Sequence, residues 1–271
     1  MKISYAQNYE DALLSRAFAG QDTGFYVDVG AAHPVLDSVT HYFYERGWQG
    51  INIEPVRESF KLLQKARTRD TNLNVAVSNT CGEATFYEIE GNESWCTLSS
   101  LETQIADENV AAHRRVASRK IPVVTLTSIF EEHVTATIDF LKIDVEGHEK
   151  QVLEGCDFHR FRPRIVIVEA TLPNSKETTF EEWQASLIES GYRFAYFDGL
   201  NRYYIRNEDE PLVAAFATPI SVLDGFTRHS EVRLRQRIAE LEAKPKIIRR
   251  AADKTGVTSL LRLLRTIKKR F

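Results

Sequence analysis

Short apolar segments alternate with longer amphipathic segments over most of the chain. The apolar segments end in glycine or a polar residue, which predicts β-strands at 25–30, 48–55, 72–78, 138–144 and 164–169. The amphipathic segments predict helices at 9–19, 37–46, 56–68, 148–155 and 179–190. Strands that alternate with helices are typical of a mostly parallel sheet covered on both faces.

The last predicted strands, 192–198 and 202–206, are separated by Asp198-Gly-Leu-Asn, which predicts a hairpin. This hairpin is expected to add one antiparallel strand at the edge of the sheet. We therefore predict an α/β fold with a mostly parallel sheet and an antiparallel closing hairpin. The predicted domain covers 1–207, and a helical, basic C-terminal extension covers 208–271.

An irregular insertion at about 80–125 interrupts the alternation of strands and helices. It begins with an alternating edge strand at Gly82 and continues through 95–100 into a polar helical run at 101–117. Because this insertion follows a strand at its carboxyl end, we expect it to form a lid above that end of the sheet.

Charge is unevenly distributed along the chain. From Glu231 onward there are 13 basic and 4 acidic residues, a net charge of +9, whereas the remaining 22 basic and 34 acidic residues give −12. The end of the tail is amphipathic, with an apolar face formed by Leu260, Leu263, Leu264, Ile267 and Phe271. This face fits either an anionic membrane surface or another protein, such as a second subunit or a glycosyltransferase.

Nucleic acid is not a predicted partner, because the tail lacks interleaved aromatic residues and the acidic body repels phosphate.

The cysteines, Cys81, Cys96 and Cys156, are widely spaced and indicate reduced thiols rather than disulfides or zinc. The chain contains no uninterrupted apolar stretch typical of a signal peptide or a membrane span. We therefore expect a cytoplasmic protein, at the inner membrane face if the tail binds lipid.

Two positions in the first half suggest a pocket for a nucleoside cofactor. Gly30 ends the first strand and Glu54 ends the second. Their separation along the chain is one at which a carboxylate commonly accepts hydrogen bonds from the ribose hydroxyls of such a cofactor. A dinucleotide would require a G-x-G-x-x-G run, but residues 30–35 contain a single glycine. NAD is therefore disfavoured, while the alternative that Gly30 and Glu54 are only a turn and a strand end stays open.

A dense polar cluster follows the predicted strand 138–144. Asp144, Glu146 and His148 come within five residues at the working edge of the sheet, where His148 or Asp144 could accept a proton. Alternatively, the acidic residues favour a helix N-terminus and His148 is an exposed residue in its first turn. With Glu169 they could hold a divalent metal, but no metal site is predicted because the spacing is not specific.

The chain resembles the FkbM-type methyltransferases from about Gly24 to Arg206. The motifs that carry this resemblance are Phe25-Tyr-Val-Asp-Val-Gly-Ala-Ala-His, Gly50-Ile-Asn-Ile-Glu-Pro, Leu73-Asn-Val-Ala-Val-Ser, Ile138-Asp-Phe-Leu-Lys-Ile-Asp-Val-Glu-Gly-His-Glu and Arg164-Ile-Val-Ile-Val-Glu-Ala-Thr. The resemblance implies a Rossmann-like class I methyltransferase fold that binds S-adenosylmethionine (AdoMet). In the first loop, Ala32-His33-Pro34 departs from the common pattern of the family.

The resemblance also assigns roles to positions of this chain. It places Asp28 and Gly30 on the methionine side of the cofactor, Glu54 at the ribose, the Val77-Ser78 region on the adenine side, and Asp144 with Glu146 at the reaction centre. With His148 added as a candidate proton acceptor, the expected catalytic residues are Asp144, Glu146 and His148. The expected AdoMet contacts are Asp28, Gly30, Ala31, His33, Ser38, Glu54, Pro55, Ser78 and Asp144.

The implied reaction is O-methylation of a sugar hydroxyl in glycan or polysaccharide biosynthesis. On the closing hairpin, aromatic residues could stack on a pyranose while Asp198, Asn201 and Arg202 reach its hydroxyls. One alternative is a non-catalytic module of the same fold that recruits a glycosyltransferase. Another, a nucleotide-sugar oxidoreductase, is disfavoured by the missing glycines. A homo-oligomer is compatible with each hypothesis.

Overall fold

A computed structural model describes residues 2–89, 98–100, 106–107, 110–112, 114–172 and 175–243. The chain divides into two compact units, Met1–Phe226 and Thr227–Phe271. The first unit contains the large sheet, and the second contains the helix His229–Ala243. The predicted amphipathic tail at 260–271 lies outside the described residues. Among the described helices, none is both long and apolar enough to cross a membrane.

The strands are numbered in chain order as β1 (Lys2–Ser4), β2 (Phe25–Val29), β3 (Gln49–Ile53), β4 (Thr71–Leu73), β5 (Ala76–Val77), β6 (Gly82–Ile89), β7 (Leu98–Ser100), β8 (Val116–Val124), β9 (Phe140–Ile143), β10 (Ile165–Glu169), β11 (Tyr192–Phe197), β12 (Asn201–Arg206) and β13 (Phe226–Arg228). The α-helices of the described ranges are Glu10–Ala17, His41–Tyr44, Arg57–Ala66, Leu126–His133, Glu149–Glu154, Gln184–Glu189 and His229–Ala243. Three segments form 3-10 helices, Phe180–Glu182, Asn207–Phe216 and Val222–Asp224.

The large sheet has seven strands in the order β11-β12-β10-β9-β2-β3-β4. The pairs from β10 to β4 are parallel, whereas β12 is antiparallel to both β10 and β11. The predicted α/β fold class, a mostly parallel sheet with an antiparallel closing hairpin, is therefore confirmed.

The position expected for the antiparallel strand was wrong, because β12 lies one place in from the edge and β11 forms the edge. The burial of the side chains agrees with this order. Tyr203, Tyr204 and Ile205 of β12 are fully buried, whereas Phe194 and Phe197 of β11 are exposed. The interior strand is therefore the more buried of the two, although its sequence contains more polar residues than that of β11.

The predicted strand 72–78 is two strands that belong to different sheets. β4 joins the large sheet, and β5 pairs with β8 in a four-stranded sheet of order β5-β8-β6-β7. Between them, the Asn74 side chain donates hydrogen bonds to the carbonyl oxygens of Glu54 and Pro55. These bonds fix the break between the two strands.

The insertion forms most of this second sheet. Gly82 begins β6 as predicted, but the helical run does not continue to 117, because residues from Val116 onward form β8. β8 pairs with β6 along its length, from Gly82 with Val123 to Ile89 with Val116. The backbone bonds of this long-range pairing overrode the local helical pattern. The proposed lid role stays a prediction.

Two predicted helices are shorter than their patterns. The segment 37–46 contains one helical turn, His41–Tyr44, because Asp37 is left-handed (φ 54°) and the residues before the turn enter a buried polar network. The segment 179–190 changes from a 3-10 to an α-helix at Trp183, whose φ of −133° is not helical.

Alternating side chains of the large sheet form a hydrophobic core on each face. Val27, Leu141 and Val166 belong to one core, which also includes residues of the helices Leu126–His133 and Gln184–Glu189. Tyr26 and Phe140 belong to the other core, which includes residues of the helix Glu10–Ala17. Burial on both faces leaves the strand ends as the part of the sheet available for polar chemistry.

A buried arginine ties the loop after β2 to the sheet. The Arg67 guanidinium donates to the Pro34 carbonyl oxygen at 3.0 and 2.7 Å and to the Ser38 hydroxyl at 2.9 Å. It also donates to the Tyr26 hydroxyl, which in turn donates to Asp70. Arg67 is fully buried and lies 3.8 Å from Asp70, so this network braces the loop from inside the protein.

We expect Arg67→Met to destabilise the fold by about 3–5 kcal/mol, because it leaves the Asp70 carboxylate buried without its cation. The free energy of unfolding in urea measures this effect. Arg69→Met is the matched control: Arg69 is exposed and stacks on Tyr44, so its replacement should change stability by less than about 0.5 kcal/mol. Equal stabilities of the two variants would contradict the assigned role of Arg67.

Candidate active site

Carboxyl groups from four neighbouring parallel strands lie along one edge of the large sheet. Asp28 is on β2, Glu54 follows β3, Asp144 follows β9 and Glu169 ends β10. Parallel strands place their carboxyl ends at the same edge, where ligands bind in open α/β sheets. The polar residues at the ends of the predicted strands therefore lie together at this edge, as the strand pattern predicted.

Lys142 occupies the centre of this edge, although sequence reasoning gave it no role. Its ammonium lies 3.0 Å from Asp144 Oδ2 and 3.7 Å from Asp28 Oδ1. Burial alone would lower the pKa of Lys142, but Asp144 and Asp28 raise it above its ordinary value. A single lysine within the apolar segment Phe140-Leu-Lys-Ile was the sequence signal for this buried ion pair.

Gly30 allows the first loop to approach β9 closely. Its φ is +80°, and a Cβ atom at this position would lie 1.8 Å from the Asp144 carbonyl oxygen. The amides of Gly30 and the buried Ala31 both donate to the Ile53 carbonyl oxygen. The glycine therefore brings together the loops that follow β2 and β9.

Glu54 is buried at the end of β3 and held by backbone amides. Its two carboxylate oxygens accept hydrogen bonds from Ala32 N at 2.7 Å and Val56 N at 2.6 Å. Burial raises the pKa of Glu54 to about 7, while these amides lower it. The neighbouring Pro55 accepts hydrogen bonds from Asn74 and Arg119 through its carbonyl oxygen. The Glu54 carboxylate is thus held in a fixed orientation.

Two predicted cofactor contacts hold the first loop in shape. His33 Nδ1 accepts hydrogen bonds from Val35 N at 3.0 Å and Leu36 N at 2.9 Å. Ser38 is buried and accepts a hydrogen bond from Arg67. These contacts are within the protein, so the visible role of both side chains is to fix the path of the loop.

The loop after β9 has a strained backbone and is held by hydrogen bonds to Glu149. Glu146 is left-handed with φ 57°, a costly conformation for a residue with a side chain. Glu149 Oε1 accepts hydrogen bonds from Val145 N at 3.0 Å and Gly147 N at 3.2 Å. Burial and the Asp144 charge raise the pKa of Glu146 to about 8. The Glu149 carboxylate therefore holds the loop together through its backbone amides.

His148 and Ser78 come together although they are 70 positions apart. His148 Nε2 lies 2.9 Å from Ser78 Oγ, and both residues are buried. The structure therefore links the predicted adenine side of the pocket to the residue expected as a base. One ring nitrogen of His148 is therefore bonded to Ser78.

Asp144 and Glu169 lie beside each other at the ends of β9 and β10, because Ile143 pairs with Val168. The Asp144 side chain is 30% exposed, whereas Glu169 is 8% exposed and its buried Oε2 has no hydrogen-bond partner. Thr171, two residues further along the chain, also has a buried hydroxyl without a partner. Among the described side chains, no group of three or more His, Cys, Asp or Glu is arranged to hold a metal ion.

The three hairpin residues expected to reach a sugar are instead engaged within the protein. Asn201 is buried and donates to Glu10, and Asp198 Oδ1 accepts from the amides of Leu200 and Asn201. Arg202 lies over the ring of Phe180 at 3.7 Å and bonds to Tyr204. Consecutive strand residues point to opposite faces, so Asn201 and Arg202 lie on different faces of the sheet, and the expected sugar contacts stay a prediction.

Comparison with known families gives one match, to the family described as the methyltransferase FkbM domain, over residues 28–194. This range contains each of the four carboxyl-bearing strand ends. No curated protein matches the chain.

Several solved structures are similar to this chain at a low level. A TehB-like SAM-dependent methyltransferase from Corynebacterium glutamicum is 9% identical with a TM-score of 0.40, covering 73% of this chain and 88% of that chain. Aeropyrum pernix fibrillarin with bound S-adenosyl-L-methionine is 10% identical with a TM-score of 0.39, covering 72% and 76%. A Klebsiella pneumoniae protein described as a putative O-methyltransferase is 10% identical with a TM-score of 0.34, covering 75% and 82%. Similarities at this level carry no functional argument.

We expect the free energy of unfolding to fall as the pH rises from about 5 to 8. Burial raises the pKa of Glu10, Glu54 and Glu149 to about 7 each, above their ordinary value of 4.5. Between those values the folded state keeps protons that the unfolded state has lost, so each group removes up to about 1.4 kcal/mol per pH unit. Urea unfolding across this range measures the slope.

Glu10→Gln should reduce this slope, because it removes one of the titrating groups. Glu189→Gln, at an exposed helix position, should leave the slope unchanged. Stability that is constant or rises with pH over this range would show that these carboxyls are not protonated in the folded protein.

Proposed function

The chain belongs to the FkbM methyltransferase family, and on this basis we propose that it is an AdoMet-dependent O-methyltransferase acting on a sugar hydroxyl. The observation that carries the proposal is the position of Asp144: its carboxylate is partly exposed at the end of β9 and oriented by Lys142 at 3.0 Å. Methyl transfer to a hydroxyl requires a group that accepts the hydroxyl proton. Asp144 is the carboxylate best placed for that task.

The residues at the ends of β2 and β3 suit AdoMet. Asp28 Oδ1 is buried without a hydrogen-bond partner, and Asp28 and Asp144 carry two negative charges against the one positive charge of Lys142. The excess negative charge favours a positively charged sulfonium nearby. Glu54 retains lone pairs that can accept protons from ribose hydroxyls. AdoMet supplies a methyl group already bonded to sulfur, so this chain mainly binds and orients.

The acceptor side supports Asp144 over His148 as the proton acceptor. His148 is buried and bonded to Ser78, whereas Asp144 is partly exposed beside the strained Glu146 loop. The unpartnered hydroxyl of Thr171, two residues beyond β10, suits an acceptor with several hydroxyl groups. This hydroxyl supports a sugar acceptor and hence a role in glycan or polysaccharide biosynthesis.

We expect AdoMet to bind the purified chain in isothermal titration, and Glu54→Ala to weaken binding about tenfold or more through the lost ribose bonds. Asp144→Asn should lower methyl transfer about a hundredfold or more while changing AdoMet affinity much less. Turnover is measured with methyl-labelled AdoMet and a panel of sugars, nucleotide sugars and methyl glycosides. Circular dichroism establishes that each variant is folded.

The matched controls are Glu189→Ala and Asp22→Asn, which change exposed carboxylates and should leave binding and transfer unchanged. Absence of AdoMet binding by the wild-type chain would contradict the proposed reaction and favour the non-catalytic alternative. Transfer to a non-sugar acceptor alone would contradict the substrate class and leave the reaction type in place.

A further inference from the structure

Two carboxyl groups share one site at the ends of β9 and β10. Ile143 pairs with Val168, so the next residues, Asp144 and Glu169, lie beside each other at the strand ends. Two ionised carboxylates side by side would repel each other strongly, and this repulsion is removed if one of them carries a proton. A protonated carboxyl can donate a hydrogen bond that an ionised neighbour accepts.

The surroundings indicate which carboxyl carries the proton. Asp144 is partly exposed and receives a hydrogen bond from the Lys142 ammonium, both of which favour its ionised form. Glu169 is 8% exposed, and its Oε2 is buried without a hydrogen-bond partner. An ionised carboxylate in that position would lose its hydration without compensation. The proton therefore belongs on Glu169.

The other charged groups around Glu169 also favour its protonated form. Asp144, Glu146 and Glu149 lie close enough to disfavour a negative charge there, and the nearby cation, Lys142, is bonded to Asp144. Burial, followed by these three carboxyls, raises the pKa of Glu169 to about 11.

We propose that Glu169 is a positioning residue which, as a neutral carboxylic acid, donates a hydrogen bond to the Asp144 carboxylate. Lys142 and Glu169 then hold Asp144 with two donors, and its remaining lone pairs accept the proton of the substrate hydroxyl. This role rests on the proposed function insofar as Asp144 is the proton acceptor. The neutral state of Glu169 is a property of the protein alone and can be tested without any ligand.

The first test is infrared spectroscopy of the full chain with isotope-labelled glutamate at about pH 9. At this pH the buried glutamates with pKa values of about 7 and 8 are mostly ionised, whereas Glu169 is not. The wild type should show the carbonyl stretch of a protonated glutamic acid. Glu169→Gln should abolish this band, and the exposed control Glu189→Gln should retain it.

Asp144→Asn should lower the pH at which the band disappears, because it removes the largest neighbouring charge acting on Glu169. Absence of the band in the wild type, or its persistence in Glu169→Gln, would overturn the proposal. These measurements use neither cofactor nor acceptor, so failure of the proposed function would not affect them.

The second test measures transfer with an acceptor identified for the wild type. Glu169→Gln keeps a donor of similar shape, so its kcat should stay within about threefold, whereas Glu169→Ala should lose about tenfold or more. Both should bind AdoMet normally. If Glu169→Gln lost as much activity as Asp144→Asn while still binding AdoMet, Glu169 would act as an ionised group and the positioning role would be wrong. Glu169→Gln decides this even if Glu169→Ala fails to fold.

Discussion

The buried ammonium of Lys142 is the interaction on which the candidate site depends. It lies between Asp28 on β2 and Asp144 after β9, and thus neutralises part of the negative charge that the parallel sheet concentrates at one edge. A buried cation of this kind is costly unless it is paired. Here it allows two carboxylates to stay close together, at the junction between the predicted cofactor side and the predicted acceptor side.

The other acidic groups at this edge differ in how their charge is compensated. Glu54 and Glu149 accept hydrogen bonds from backbone amides of the loops beside them, so their charge is partly compensated while they hold those loops. Glu169 Oε2 is buried without such a donor, and the lack of compensation leads to its neutral form. Carboxyl groups at the same sheet edge therefore differ in protonation because their immediate surroundings differ.

Backbone strain is found in the same loops. Among the described residues, the left-handed positions that are not glycine are Tyr9, Ala32, Asp37 and Glu146. Ala32 and Asp37 are in the loop after β2, and Glu146 is in the loop after β9. Such strain persists only where the surroundings determine it. Here Arg67 braces the first loop and Glu149 closes the second, while the two apolar cores stabilise the sheet that carries both.

Local sequence patterns by themselves determined the parallel strands, the glycine turn at Gly30 and the polar strand ends Asp28, Glu54 and Asp144, because side-chain periodicity and turn chemistry depend on neighbouring residues. The FkbM motifs are also local, which is why they identified the family. The tertiary structure decided the contacts between distant residues. It placed Lys142 between two carboxylates and Ser78 against His148. It also placed β12 between β10 and β11 and divided residues 72–78 between two sheets. Strand pairing and burial depend on the whole chain.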